Sequence, residues 1–474
     1  MPVFHVFSTV TGLYLFDANS NTFLKIDNNI YKSLIEYKKS HYEYIDKNVQ
    51  NLINKGFLSH KKDFKMIHPM DETLEDNLSR RLNTIALQVT QNCNLRCKYC
   101  AYSGSYLNRV HTNKRMSEKT ALKAIDFLLE NSVDTNAINI GFYGGEPFLE
   151  FDLIEKCVEY AKKAAFGKEI RFNVTTNATL LTDKVLNFVN DNNFHLTISL
   201  DGDKEAHDKN RIFAINNNGT FNTIMRSIDK VSKKYPDLSQ RINFNAVIDP
   251  QSDFSCISSF FSNYENVKDY FVRASMISNN YNPNNVELTE QYNSVFNYET
   301  FKLLLYKFGR LNEKDISKLV LASFDNVKKD VHERLKVSFN SAKVDHHSGP
   351  CVPGAQRLFV DVDGNLFPCE RVSETSMIMK IGDIYSGFDF DKVRDVLNIG
   401  RLTEKQCKSC WAFRYCTSCA IAADNGDSFS AEHKLENCNK VKNSIEKIFK
   451  DYCVLRELGY DFDEEDIYKK GVLA

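Results

Sequence analysis

The sequence predicts an α/β fold: a partial (β/α)6 barrel with a small winged-helix-like domain before it and a cysteine-rich domain after it. Three observations carry this expectation. From Thr84 onward, short apolar runs alternate with helix-like stretches, the pattern of a parallel sheet rather than of hairpins. At 474 residues the chain is too long for one ordinary core, so a central domain of roughly 200 to 250 residues with smaller attachments is expected. Ten of the 13 cysteines fall in spaced groups, one early in the chain and one late.

The first unit spans residues 1–65. Leu13 to Phe16 and Thr22 to Ile26 read as short strands separated by Asn-rich turn residues, and helical stretches follow near Tyr31 and Val49. A polar connector, His60 to Asn83, leads into the barrel at residues 84–278. Its strands are expected at Thr84 to Thr90, Ile138 to Tyr143, Ile170 to Thr176, His195 to Leu200, Ile242 to Ile248 and Tyr270 to Ile277. One intervening helix starts at Ser117, a good N-cap, and carries Leu122, Ile125 and Leu129 on one face. The Asn-rich loop Asn279 to Asn285 closes this domain. A helical connector (279–345), the cysteine-rich domain (346–440) and a helical tail (441–474) complete the chain.

Composition narrows the function. Lys+Arg 61 against Asp+Glu 62 leaves a net charge of -1, which argues against nucleic acid as a partner. The opening MPVFHVFSTVTGLYLF has no basic n-region or small-residue cleavage site, and no apolar run approaches about 18 residues, so a soluble cytoplasmic protein without a membrane partner is expected. In a reducing compartment the cysteines then require metal, catalysis or burial as their explanation, not disulfides. Cys157, Cys256 and Cys453 lie on or beside apolar helical stripes and read as buried thiols.

The segment QNCNLRCKYC holds Cys93, Cys97 and Cys100. A closed zinc site takes four ligands, usually two pairs from separated loops. Three thiolates on one loop suit an iron–sulfur cube with one iron left unligated by protein, although a zinc knuckle with a distant fourth ligand remains open. The loop follows the first strand, at the C-terminal mouth where barrels build active sites.

On these residues the stretch Thr84 to Ile277 resembles the radical S-adenosylmethionine (SAM) enzymes, whose C-x3-C-x2-C loop matches Cys93, Cys97 and Cys100. The resemblance implies that the open iron binds SAM and that reductive cleavage yields a 5′-deoxyadenosyl radical. It places Tyr99 next to the adenine. In GFYGGEP, Gly144, Gly145, Glu146 and Pro147 match the family's methionine-binding turn; glycines let backbone approach a ligand and a carboxylate accepts from its ammonium. TTNATLL supplies Asn177, with Ala178 where related sequences often have glycine. SLDGDKEAHDKNR supplies Ser199 and Arg211, which by resemblance hold the cofactor's carboxylate.

Seven later cysteines, Cys351, Cys369, Cys407, Cys410, Cys416, Cys419 and Cys438, exceed one tetrahedral site. They resemble the SPASM extension of peptide-modifying radical enzymes, which implies two auxiliary [4Fe–4S] clusters and three clusters in all. Two residues separate Cys416 from Cys419, where that pattern has three. By position, Cys407, Cys410, Cys416 and Cys438 complete one cluster and Cys351, Cys369 and Cys419 hold the other, whose free iron suits a substrate thiolate. A tandem zinc ribbon is the alternative. Glu370 in FPCER stands where some sulfatase-maturing relatives have an acidic base; the bland reading is a solvated residue or a pair with Arg371. The N-terminal unit resembles the recognition element of enzymes that act on ribosomally made precursor peptides, in which a leader adds a strand to a sheet edge, here Thr22 to Ile26. Together these resemblances imply a thioether-forming maturase served by an electron donor such as flavodoxin or ferredoxin. Sulfatase-type or carbon–carbon crosslinking chemistry, or a zinc-containing binding protein, are the rival readings.

Overall fold

A ten-stranded mixed sheet runs through the computed structural model. It describes residues 1–60, 63–103, 106, 110–282, 284, 286–336 and 343–463. Before the sheet come β1 (Phe4–Ser8), β2 (Leu13–Asp17), β3 (Thr22–Ile26) and β4 (Lys65–Met66). The sheet uses β5 (Thr84–Thr90), β6 (Ala137–Gly144), β7 (Glu169–Thr176), β8 (His195–Ser199), β9 (Ile242–Ile248) and β10 (Phe271–Met276). Beyond the short β11 (Val344–Asp345), it takes in β12 (Leu358–Val360), β13 (Asn365–Phe367), β14 (Gly382–Asp383) and β15 (Gly387–Phe388). The spatial order is β10-β9-β8-β7-β6-β5-β12-β13-β14-β15, with β10 left as an open edge.

Strands β5 to β10 are mutually parallel, and each lies within two residues of its expected position. Apolar residues recurring at every second position explain this: Ile85, Leu87, Val89, Ile140, Leu196, Ile198 and Phe244 are all fully buried. Helix Glu118–Glu130 is capped by Ser117, whose Oγ accepts the Thr120 N–H at 3.0 Å. Its buried face is Ala121, Ala124, Ile125 and Leu128. Leu122 and Leu129 flank that face, because small residues let the helix sit close to the sheet.

The extension of the sheet was not foreseen. β12 joins β5 in parallel, Leu358 opposite Ile85, and β13 to β15 continue antiparallel. The cysteine-rich region therefore shares backbone hydrogen bonds with the strand that carries the first cysteine loop. Cys157 and Cys453 are buried, but Cys256 is exposed. It sits on helix Phe254–Asn263, which buries Phe254, Ile257, Ser258, Phe260 and Phe261 and so turns position 256 to solvent. The expected loop at 279–285 includes residues 283 and 285, the connector includes 337–342 and the tail includes 464–474; these lie outside the described residues. The tail helix begins at Cys438 itself and runs to Glu457. Among the described residues no helix is long and apolar enough to cross a membrane.

The N-terminal unit is a three-stranded antiparallel sheet, β1-β2-β3, followed by helices Asn28–Lys39 and Lys47–Asn54. β1 escaped the sequence reading. Leu15, Ile26, Leu34, Val49 and Leu52 form a separate small core. The other face packs on the tail helix and the late cysteine loop through aromatic rings: Phe449 lies 4.8 Å from each of Phe16, Phe23 and Tyr415, and 5.7 Å from Trp411. His5 stacks on Trp411 at 4.0 Å and bonds Glu446 at 2.8 Å. Aromatic pairs of this kind add about 0.5–1.5 kcal/mol each beyond area burial. Replacing Phe449 by Ala is expected to cost about 3–5 kcal/mol and to loosen the N-terminal sheet. Emission from Trp411, the single tryptophan, then shifts red and proteolysis near residue 60 accelerates; unchanged emission and cleavage would contradict the packing role.

Candidate functional site

The loop carrying Cys93, Cys97 and Cys100 leaves the C-terminal end of β5 and is tied down on two sides by backbone. On one side, Gly145 N–H donates to Thr90 O and Glu146 N–H to Asn92 O, both at 2.9 Å. A β-carbon at Gly144 would stand 2.1 Å from Thr90 O, and one at Gly145 2.1 Å from Asn92 O. The glycines thus serve close packing of β6 on the cysteine loop, a tighter requirement than the expected approach to a ligand. On the other side, Arg96 N–H donates to Ile212 O at 2.8 Å and Lys98 N–H to Asn210 O at 3.0 Å.

Glu146 is fully buried at the end of β6. Its Oε1 accepts from Thr176 Oγ1 at 2.7 Å and from Phe148 N–H at 3.2 Å, and its Oε2 accepts from Asn177 N–H at 2.8 Å. Burial nevertheless pushes its carboxyl up to about 7. Asn177 donates from Nδ2 to Asn94 Oδ1 at 2.9 Å and reaches Cys93 Sγ at 3.8 Å, so it braces the loop. Ala178 adopts φ +59, the left-handed conformation that glycine takes without strain.

Ser199 ends β8, buried. Arg211 is buried too and makes a forked pair with Asp201, Nε to Oδ2 at 2.9 Å and Nη2 to Oδ1 at 3.2 Å. That is an interior ion pair. The Tyr99 hydroxyl donates to the same Asp201 Oδ2 at 2.5 Å, and the guanidinium lies 5.4 Å from the Tyr99 ring centre. Asp201 was missed, although it follows the strand end directly in SLDGD. His207 was missed as well: its Nδ1 accepts the Asp201 N–H at 3.2 Å, its Nε2 faces Thr220 Oγ1 at 2.9 Å, and that hydroxyl donates to Arg211 O at 3.3 Å. The acceptor role at Nδ1 fixes the neutral tautomer with the proton on Nε2. His207 thereby braces both partners of the ion pair.

In the late region burial raises the Cys369, Cys410, Cys416 and Cys419 thiols first, and neighbouring thiols add to it. Cys369 feels the charge of Cys419, and Cys419 that of Cys351. Separately, Cys410 feels Cys407 and Cys438, while Cys416 feels Cys410 and Cys407. Glu370 is ion-paired with Arg357.

The donor chemistry fits iron–sulfur clusters. Burial raises Cys93, pushes Cys97 up to about 12 and holds Cys369 and Cys416 near 11, so these thiols ionise at neutral pH only if bound metal supplies positive charge. Among the described residues no three His, Cys, Asp or Glu side chains converge as ligands of one ion would. In a cube each thiolate meets a different iron, so such convergence is not needed.

Two outcomes follow from this geometry. Gly145→Ala should displace the cysteine loop, cost about 1–3 kcal/mol and lower iron bound after anaerobic reconstitution; full iron loading would contradict the packing. Burial lowers the pKa of His207 to about 3, so its neutral form stabilises the fold above the unfolded value near 6.5, and that contribution is lost as pH falls below it. Between pH 6.5 and 5 the stability difference between wild type and His207→Asn should shrink by roughly 2 kcal/mol; a constant difference would show that His207 is not held neutral.

Residues 87–253 match the Radical SAM superfamily model, from β5 to just past β9. A cysteine-type anaerobic sulfatase-maturating enzyme of Clostridium novyi is 34% identical over 158 residues, 33% of this chain and 41% of that one. The radical SAM cyclopropyl synthase TigE of Paramaledivibacter caminithermalis is 26% identical over 222 residues, 41% of this chain and 46% of that one. The chain therefore spans less than half the length of these two relatives. Native anSMEcpe with bound AdoMet, a solved structure, has the same fold, with a TM-score of 0.58 at 18% identity over 78% of this chain and 99% of that chain. The fold implies one [4Fe–4S] cluster and SAM. The family-model match establishes a radical SAM domain over residues 87–253, similar in sequence to the anaerobic sulfatase-maturating enzymes.

Proposed function

We propose that this chain is a peptide maturase that joins a cysteine sulfur of a ribosomally made precursor to a carbon of another residue. The feature that supports the reading is the count of seven late cysteines, one fewer than two four-thiolate clusters need. A three-thiol group leaves one cluster corner free for a substrate thiolate.

Bound SAM and its cluster, held by Cys93, Cys97 and Cys100, supply a 5′-deoxyadenosyl radical. The chain's own residues orient and shield. Glu146 and Asn177 present acceptors and donors beside the cysteine loop, Tyr99 offers its ring, and Ser199 and Arg211 line the neighbouring strand end. Thioether formation removes two hydrogens from the peptide, one as an atom from carbon and one as a thiol proton with an electron. Glu370, next to Cys369 and ion-paired with Arg357, is the proposed base for that proton. A flavodoxin- or ferredoxin-type donor supplies electrons.

β3 is the outer strand of the N-terminal sheet, which supports leader binding by strand addition along Thr22–Ile26. The matched relatives favour one second reading, sulfatase-type maturation. Co-expression with small cysteine-rich reading frames from neighbouring DNA, followed by mass spectrometry, separates the two. Loss of two hydrogens per crosslink with resistance to thiol alkylation is expected. Crosslinked product with reactive thiols would favour carbon–carbon chemistry, and oxidation without a crosslink the sulfatase-type reading.

A further inference from the structure

Lys434 lies on helix Ala431–Glu436, only 2% exposed, one turn before Cys438. Its ammonium donates to Thr403 Oγ1 at 2.8 Å and reaches Cys407 Sγ at 3.8 Å. Thr403, equally buried, places its hydroxyl 3.2 Å from the same sulfur. Since Lys434 donates to Thr403, the hydroxyl proton is free to point at Cys407, and the three groups form a relay ending on one thiolate. Among the described residues no carboxylate pairs with Lys434. Its titratable neighbours His346 and His347 are buried and held neutral, and both ring nitrogens of His347 lack partners. An unpaired ammonium in such surroundings costs several kcal/mol, so the fold needs a negative charge here that the polypeptide does not provide.

We propose that Lys434 is the interior counter-ion and hydrogen-bond donor of an iron–sulfur cluster on Cys407, Cys410, Cys416 and Cys438, and that it raises that cluster's reduction potential. The inference rests on the reading of these four cysteines as one cluster site. Four thiolates on a cube carry net negative charge, which supplies the missing partner. Positive charge and N–H or O–H donors at a ligating sulfur favour the reduced, more negative state. Lys434 thus makes this cluster more readily reduced than it would be without the ammonium, able to take up the electron that crosslink formation releases.

The test is a redox titration of the reconstituted full chain followed by electron paramagnetic resonance, on wild type, Lys434→Met, Lys434→Arg and Cys407→Ala. The signal lost in Cys407→Ala identifies the cluster. Lys434→Met should move its midpoint negative by about 59 mV or more, tenfold in the ratio of oxidised to reduced protein, and Lys434→Arg by less. If Lys434→Met instead sheds about four irons while Lys434→Arg keeps them, the counter-ion role is equally supported. An unchanged midpoint with iron retained overturns the proposal and leaves the cluster intact. Equal loss in Lys434→Met and Lys434→Arg also overturns it, since charge would then not be the cause. If wild type has no signal that Cys407→Ala removes, the cluster reading fails and the proposal with it.

Discussion

The carbonyls of Thr90 and Asn92 occupy the space that β-carbons would need on Gly144 and Gly145, and this close approach sets the position of everything around the cysteine loop. It lets β6 donate two backbone hydrogen bonds into the loop, which brings Glu146 alongside. Glu146 in turn accepts from the end of β7, and Asn177 closes the circuit by reaching back to Asn94 and Cys93. Three strand ends are thereby locked to one another before any ligand binds. Such preorganisation is what a site must have if its groups are to hold reacting atoms in place.

A second constraint is electrostatic. Asp201 serves Arg211, Tyr99 and the Val247 N–H at once. A buried pair of this kind is costly unless its hydrogen bonds are made; here Tyr99 and the Val247 N–H donate to the carboxylate, while His207 and Thr220 bond the backbone of the two partners. Among the described residues Lys434 has no such partner. The contrast between a saturated ion pair beside the first cysteine loop and a lone ammonium beside the late one is what separates a self-sufficient site from one that a bound group must complete.

Much of this was legible in the residues. Six parallel strands could be read because each runs five or more residues with apolar side chains recurring along it, long enough for periodicity to register. β12 to β15 have two or three residues each, too few for any period, so the continuity of the sheet into the cysteine-rich region was hidden. Spacing singled out the ten grouped cysteines but not the polar residues beside the first loop: Asp201, His207 and Thr220 matter through tertiary hydrogen bonds that no local pattern encodes. Lys434 escaped for a related reason, since a lysine on a short polar helix reads as solvated until its burial is seen. Cys256 shows the reverse error, an apolar neighbourhood in sequence that the helix turns outward.

The measurement that bears most directly on the account is reductive cleavage of SAM by the reconstituted protein, compared with a variant carrying Ala at Cys93, Cys97 and Cys100. The account predicts 5′-deoxyadenosine and methionine from the wild type and none from the variant, with iron on the late cysteines retained. Undiminished cleavage by the variant, or none by wild type fully loaded with iron, would contradict it.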